Sequence, residues 1–152
     1  IALGAVKFSD FAADRRTNIL FDWDSIFALT GFSGPYIQYA AVRVNKIVTD
    51  NPIDESVTFN DYDYEAEKAV IAKLLEYPDA VRLAARDLEP HKVATYLYEL
   101  AREMNRYYEQ TPVALPNVSD GEKAARLQLL KKVSHVFMHG LSLLGIEVPS
   151  QM

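Results

Sequence analysis

The stretch SDGEKAARLQLLKKVSHVFMHGLSLLG, Ser119–Gly145, carries its own start and stop. Ser119 and Glu122 form a capping-box pair, in which each side chain satisfies a backbone N–H that the first helical turn leaves free. Leu127, Leu130, Val133, Phe137, Leu141 and Leu144 then recur at helical spacing as one apolar face. Gly145 suits the left-handed residue that closes a helix. A helix this long, with one apolar face, needs other helices or a sheet to cover it.

The rest of the chain offers helices. Val93, Leu97, Leu100, Met104 and Tyr108 follow one another at steps of four, three, four and four between Pro90 and Thr111-Pro112. Before them, Val70, Ile71, Leu74 and Leu75 share a face, and Tyr77-Pro78 is expected to stop that helix. Pro78 then opens another, with Val81, Leu83, Ala84, Ala85 and Leu88 as its apolar positions. Further upstream, Gly34-Pro35 begins a helix through Ile37, Ala40, Ala41, Val44 and Val48. No segment shows sustained strand alternation between hairpin turns. The expected fold is therefore all-α, a bundle of five or six helices with antiparallel neighbours joined by short turns.

Composition narrows the function. The 152 residues are 49% hydrophobic and 24% charged, enough for one packed domain. The absence of cysteine excludes disulfide scaffolds, Cys-ligated zinc, iron–sulfur clusters and thiol nucleophiles. No apolar run approaches the ~20 residues that span a bilayer. The opening Ile1-Ala2-Leu3-Gly4-Ala5-Val6-Lys7 lacks an initiator Met and a signal-peptide pattern, and reads as mid-helix: a piece of a longer, cytoplasmic protein.

The net charge of −5 argues at first against a nucleic-acid partner, but its distribution reverses that. Seven of the 21 acids (Asp50, Asp54, Glu55, Asp61, Asp63, Glu65 and Glu67) fall in residues 50–67 without one Lys or Arg. The remainder holds 14 acids against 16 bases, a balance of +2. With Asn51-Pro52 and Asn60-Asp61 as turn signals, 50–67 reads as a solvated connector. Its spacing does not match the EF-hand loop that would make it a cation site.

Enzyme motifs are missing: there is no phosphate-binding glycine loop, nucleophile elbow or Cys–His pair. His135 and His139 stand at i,i+4, but Val136 occupies the place of a zinc protease's glutamate, so a polar stripe beside Phe137 is the better reading. Asp22 and Asp24 flank Trp23; they share a face only if extended, and a helix start is an equal use for Asp24. What stands out is tyrosine, nine residues of 152. Such rings are core filler with a hydroxyl at the surface, or platforms on which unpaired bases stack while Arg and Lys hold the backbone.

The run Gly31-Phe32-Ser33-Gly34-Pro35-Tyr36-Ile37-Gln38-Tyr39-Ala40-Ala41-Val42-Arg43, with Phe21-Asp22-Trp23-Asp24 and Gly4–Asp10 before it, closely resembles arginyl-tRNA synthetases. So do His91–Ala101, Asn105-Arg106-Tyr107-Tyr108, and Gly140–Ile146 closing on Pro149-Ser150-Gln151-Met152. The resemblance covers nearly the whole chain. It implies the C-terminal part of a class I enzyme, with residues 1–30 as the tail of the catalytic domain and a junction helix, and 31–152 as a DALR-type helical anticodon-binding domain. Two departures stand out: Asp79-Ala80-Val81-Arg82 differs by one residue from the namesake motif, and Phe32-Ser33 replaces the family's frequent Asn-Thr.

Several further expectations follow from the resemblance. The parent is a ligase that joins arginine to its tRNA using ATP with Mg, whereas this chain lacks the catalytic signatures, needs no cofactor and is inactive alone. Its partners are the anticodon loop of arginine tRNA and the catalytic domain of the same parent chain; it binds neither membrane nor DNA and is a monomer. All arginine codons carry G in second place, so the anticodon presents a middle cytosine. The resemblance places Tyr36 and Tyr39 at the anticodon loop and Tyr108 and Met152 around that cytosine; Gln38, Arg43 and Asn105 are further candidates, each of which serves equally well to tie helices together. The rival reading is a helical protein-interaction module that docks through a tyrosine-rich face.

Overall fold

A computed structural model describes residues 1–51, 65–111 and 119–152. Six helices, and no strand, form among them: α1 (Ala2–Ala12), α2 (Trp23–Phe27), α3 (Gly34–Asp50), α4 (Lys68–Asp87), α5 (His91–Gln110) and α6 (Asp120–Leu143). α4 lies along α5 and α3 along α6, while α1 crosses α3 and α5.

Local signals explain most of these boundaries. Both halves of the capping box at Ser119 and Glu122 are made, and Gly145 takes φ +64° just beyond α6. Ser33 caps α3 by accepting from the Tyr36 N–H at 3.3 Å, with Pro35 in the first turn. α2 is capped by Asp22, not Asp24: its carboxylate accepts the Ser25 N–H at 2.9 Å.

The predicted break at Pro78 does not occur, and α4 runs through it. An internal proline removes one hydrogen bond and crowds the carbonyl four residues back. Packing on both sides of Pro78 outweighs that loss, because Val70 and Leu74 before it, and Ala80 and Ala84 after it, lie on one core. Leu75 and Leu88, expected inside, are 75% and 70% exposed. Leu88 instead terminates α4 with a left-handed backbone at φ 55°, its N–H reaching the Ala84 and Ala85 carbonyls. A residue other than glycine in that region is uncommon.

Ala85, also expected inside, is exposed, whereas the faces of α3, α5 and α6 follow the periodicities. Leu127, Leu130, Val133, Phe137, Leu141 and Leu144 of the α6 face are all buried, with Val93, Leu97, Leu100 and Met104 of α5 and Ile37, Ala40, Ala41 and Val44 of α3. Phe8 brings α1 into the same cluster.

Glu67 departs from the picture of a solvated connector. It is 2% exposed and accepts hydrogen bonds from the Tyr107 hydroxyl (2.9 Å) and Arg126 Nε (3.3 Å). This carboxylate joins α5 and α6 to the start of α4. Glu65 of the same stretch is exposed and pairs with Lys68; Asp54, Glu55, Asp61 and Asp63 lie outside the described residues.

Candidate nucleic-acid interface

Helical spacing decides which tyrosines share a surface. Tyr36, Tyr39 and Arg43 stand at i, i+3 and i+7 on α3, and Tyr98, Arg102 and Asn105 at i, i+4 and i+7 on α5. The two helices bring these stripes together. Asn105 Nδ2 donates to the Tyr36 hydroxyl at 2.9 Å. The Tyr36 ring centroid lies 5.8 Å from that of Tyr98, and Tyr98 meets Phe32 edge-on at 5.0 Å. One turn along, the Arg43 guanidinium covers the Tyr108 ring at 4.1 Å, a cation–π contact. Tyr39 stands out from α3, 42% exposed.

Two residues named with this cluster are placed differently. Gln38 is 1% exposed, and its Nε2 donates to the Glu147 carbonyl at 2.7 Å. A Cβ on Gly4 would fall 2.6 Å from that same amide, so Gln38 is wedged between α1 and the segment after α6. Its role is to seat that segment, together with Lys7, whose ammonium donates to the Gly145 carbonyl. Met152 lies at the end of this segment, four residues beyond Val148, and is exposed.

The remaining described tyrosines serve the fold. Tyr96 is buried and donates to the Lys73 carbonyl at 2.8 Å, Tyr107 is held by Glu67, and the Tyr77 hydroxyl lies 2.6 Å from His139 Nδ1. Burial pushes the Tyr77 phenol up to about 12 and raises that of Tyr96 as well. His139 is thus used by a tyrosine; among the described residues no three His, Asp or Glu side chains cluster in a way that would hold a metal ion.

Phe32, Tyr98 and Arg102 belong to this surface, although motif matching did not pick them out. The spacing held a signal: Tyr98 stands seven residues before Asn105, on the same helical face. Arg43, Arg102 and Arg106 share another property. Arg16, Arg82, Arg86 and Arg126 each pair with a carboxylate, whereas these three make no ion pair among the described residues. Guanidinium groups left free beside exposed rings suit phosphates and bases.

A groove between α1, α2 and the start of α3 is lined by Ala5, Phe8, Leu20, Ile26 and Asp22, and that carboxylate is committed to capping α2. No described helix is long and apolar enough to cross a membrane.

The family profile described as DALR anticodon binding domain matches residues 37–152. Arginine–tRNA ligases of Aliivibrio fischeri (strain MJ11) and Vibrio parahaemolyticus serotype O3:K6 are each 38% identical to the whole chain, over 26% of their own length. Thermus thermophilus arginyl-tRNA synthetase superposes with a TM-score of 0.92 at 30% identity, over 99% of this chain and 26% of that one. The Plasmodium falciparum enzyme shares the fold, with a TM-score of 0.83 at 20% identity over 99% of this chain and 27% of that one. The chain spans about a quarter of the length of the relatives it matches.

Proposed function

The chain belongs to the DALR anticodon-binding domain family, and from that premise we propose that it reads the anticodon of arginine tRNA as one part of an arginine–tRNA ligase. One observation carries this reading: α3 and α5 converge to place Tyr36, Asn105, Tyr98, Arg43 and Tyr108 on a single face, with rings beside guanidinium groups. An unpaired base is held by stacking on an aromatic face and by hydrogen bonds to its edge, while arginines take the backbone phosphates.

Each residue has a distinct part. Tyr36 and Tyr108 offer ring faces, and Tyr39 extends the surface outward. Asn105 fixes the Tyr36 hydroxyl, so the ring meets a base without first losing rotational freedom. Arg43 backs the Tyr108 ring. Met152 is an apolar lid, and Gln38 seats the segment that carries it. Joining arginine to tRNA with ATP and Mg belongs to the rest of the ligase. No catalytic step is assigned to the residues of this chain.

Binding of arginine tRNA to this chain tests the proposal, comparing transcripts with cytosine or another base in the middle anticodon position. Cytosine is expected to bind more tightly. Tyr36→Ala and Tyr108→Ala should each weaken binding by about 1–3 kcal/mol, roughly 5- to 150-fold. Equal affinity for all middle bases, or no effect of either substitution, refutes it and favours a protein partner for the same face.

A further inference from the structure

The face holds two arginines that neither the fold nor base stacking uses. Arg102 and Arg106 are both exposed, one turn apart on α5, and flank Asn105. The Arg102 guanidinium lies 5.9 Å from the Tyr98 ring centroid, beside the Tyr36 cluster. Neither arginine makes an ion pair among the described residues, although α5 also carries Glu99, Glu103 and Glu109. Glu99, one turn before Arg102 and lining the same groove between α4 and α5, is occupied by Lys73 at 2.5 Å. Elsewhere on the surface the pattern differs: Arg82 pairs with Asp79, and Arg86 with Asp87.

We infer that Arg102 and Arg106 form a phosphate clamp, gripping the backbone of the same strand whose bases the tyrosines take. The inference rests on the anticodon reading and adds to it residues that bind without selecting a base. The guanidinium fork matches phosphate oxygens, and the i,i+4 spacing offers two forks to neighbouring phosphates. Glu109, exposed on the same stripe of α5, opposes them, so its charge lowers affinity for the same strand.

The test is a salt titration of arginine-tRNA binding to this chain, with Arg102→Gln, Arg106→Gln and Glu109→Gln as variants. Each phosphate contact contributes about 0.7 to the slope of log affinity against log salt for a single strand. Each arginine variant should therefore lower the slope by about 0.7, so a fourfold rise in salt costs it about 2.6-fold less affinity than wild type. Glu109→Gln should tighten binding at low salt. The preference for a middle cytosine should be unchanged in all three.

Unchanged slopes in both arginine variants overturn the clamp while leaving the anticodon reading intact. A preference that falls with affinity overturns it too, because the arginines would then be reading the base. A wild-type chain indifferent to the middle base overturns both. All three residues are exposed, so melting temperatures should match wild type, and a variant that melts early is replaced by the corresponding Ala substitution, which removes the same charge.

Discussion

Replacing Gly34 with alanine adds one methyl group where two helices touch through their backbones. A Cβ at this position would stand 2.9 Å from the Gly4 carbonyl oxygen, 2.9 Å from Phe8 Cβ and 3.0 Å from the Ala5 Cα. Ordinary contact begins near 3.5 Å, so α1 must retreat by about half an ångström, taking the buried Phe8 with it. None of the three atoms is the end of a flexible side chain, which places the cost at the upper end of overpacking, about 3 kcal/mol. Alanine returns about 1 kcal/mol in helix propensity. That credit shrinks here because Pro35 follows, and a residue with a Cβ before proline resists helical backbone. The net loss is therefore at least about 2 kcal/mol, or a fall in Tm of at least roughly 4–8 °C for a chain this long. Gly121→Ala is the control: nothing lies within 4 Å of its Cβ, and the exposed first turn of α6 should gain about 0.4–1 kcal/mol. Thermal unfolding by circular dichroism compares the two. A Gly34→Ala protein that melts at or above Gly121→Ala would refute the close crossing of α1 and α3.

Three other outcomes are expected. Glu67→Ala removes the acceptor shared by Tyr107 and Arg126, and urea unfolding should show a loss of about 3–5 kcal/mol, the usual penalty for breaking a buried pair. Pro78→Ala restores a hydrogen bond inside α4 at an exposed position and should stabilise by about 2 kcal/mol, once the freer unfolded chain is subtracted from the ~3 kcal/mol propensity gain. At the α4–α5 junction, Arg86 and then Lys92 hold the Asp87 carboxyl well below its usual range, and Lys92 lowers that of Glu89. A depressed carboxylate stabilises above its unfolded pKa, near ~4, and that stability is lost as pH falls towards the folded value. Melts between pH 6 and 2 should therefore decline below about pH 4, less steeply in Asp87→Asn and in high salt.

The legible parts of the fold were those in which local chemistry and burial agree. The α6 face, its capping box and Gly145 could all be read directly, because periodicity, cap and stop coincide in one stretch. Pro78 misled because helix breaking is a local cost and α4 is held by contacts that only the folded chain supplies. Leu75 and Leu88 misled for the converse reason: an apolar residue says nothing about which side of a helix finds a neighbour. Glu67 sat in an acidic run, and only its distant partners, Tyr107 and Arg126, distinguish it from Glu65. On the tyrosine-rich face, resemblance named Tyr36, Tyr39, Tyr108, Arg43 and Asn105, and the packing of α3 on α5 sets Tyr98, Phe32 and Arg102 beside them. Motifs mark single stretches, whereas a surface is assembled from helices 60 residues apart.

The seam where α1 meets the segment after α6 bears on how the chain comes into being. Lys7 and Gly145, whose hydrogen bond closes that seam, are separated by 138 residues. At about 5–20 residues per second of synthesis, α1 waits roughly 7–28 s for this partner to be made. Meanwhile it has α3 and α5 for company, so the bundle assembles outward from those contacts and is latched last by the Gln38 and Lys7 bonds. The opening between α1 and the segment after α6 stays a point of entry for chaperones and proteases until that segment has been made.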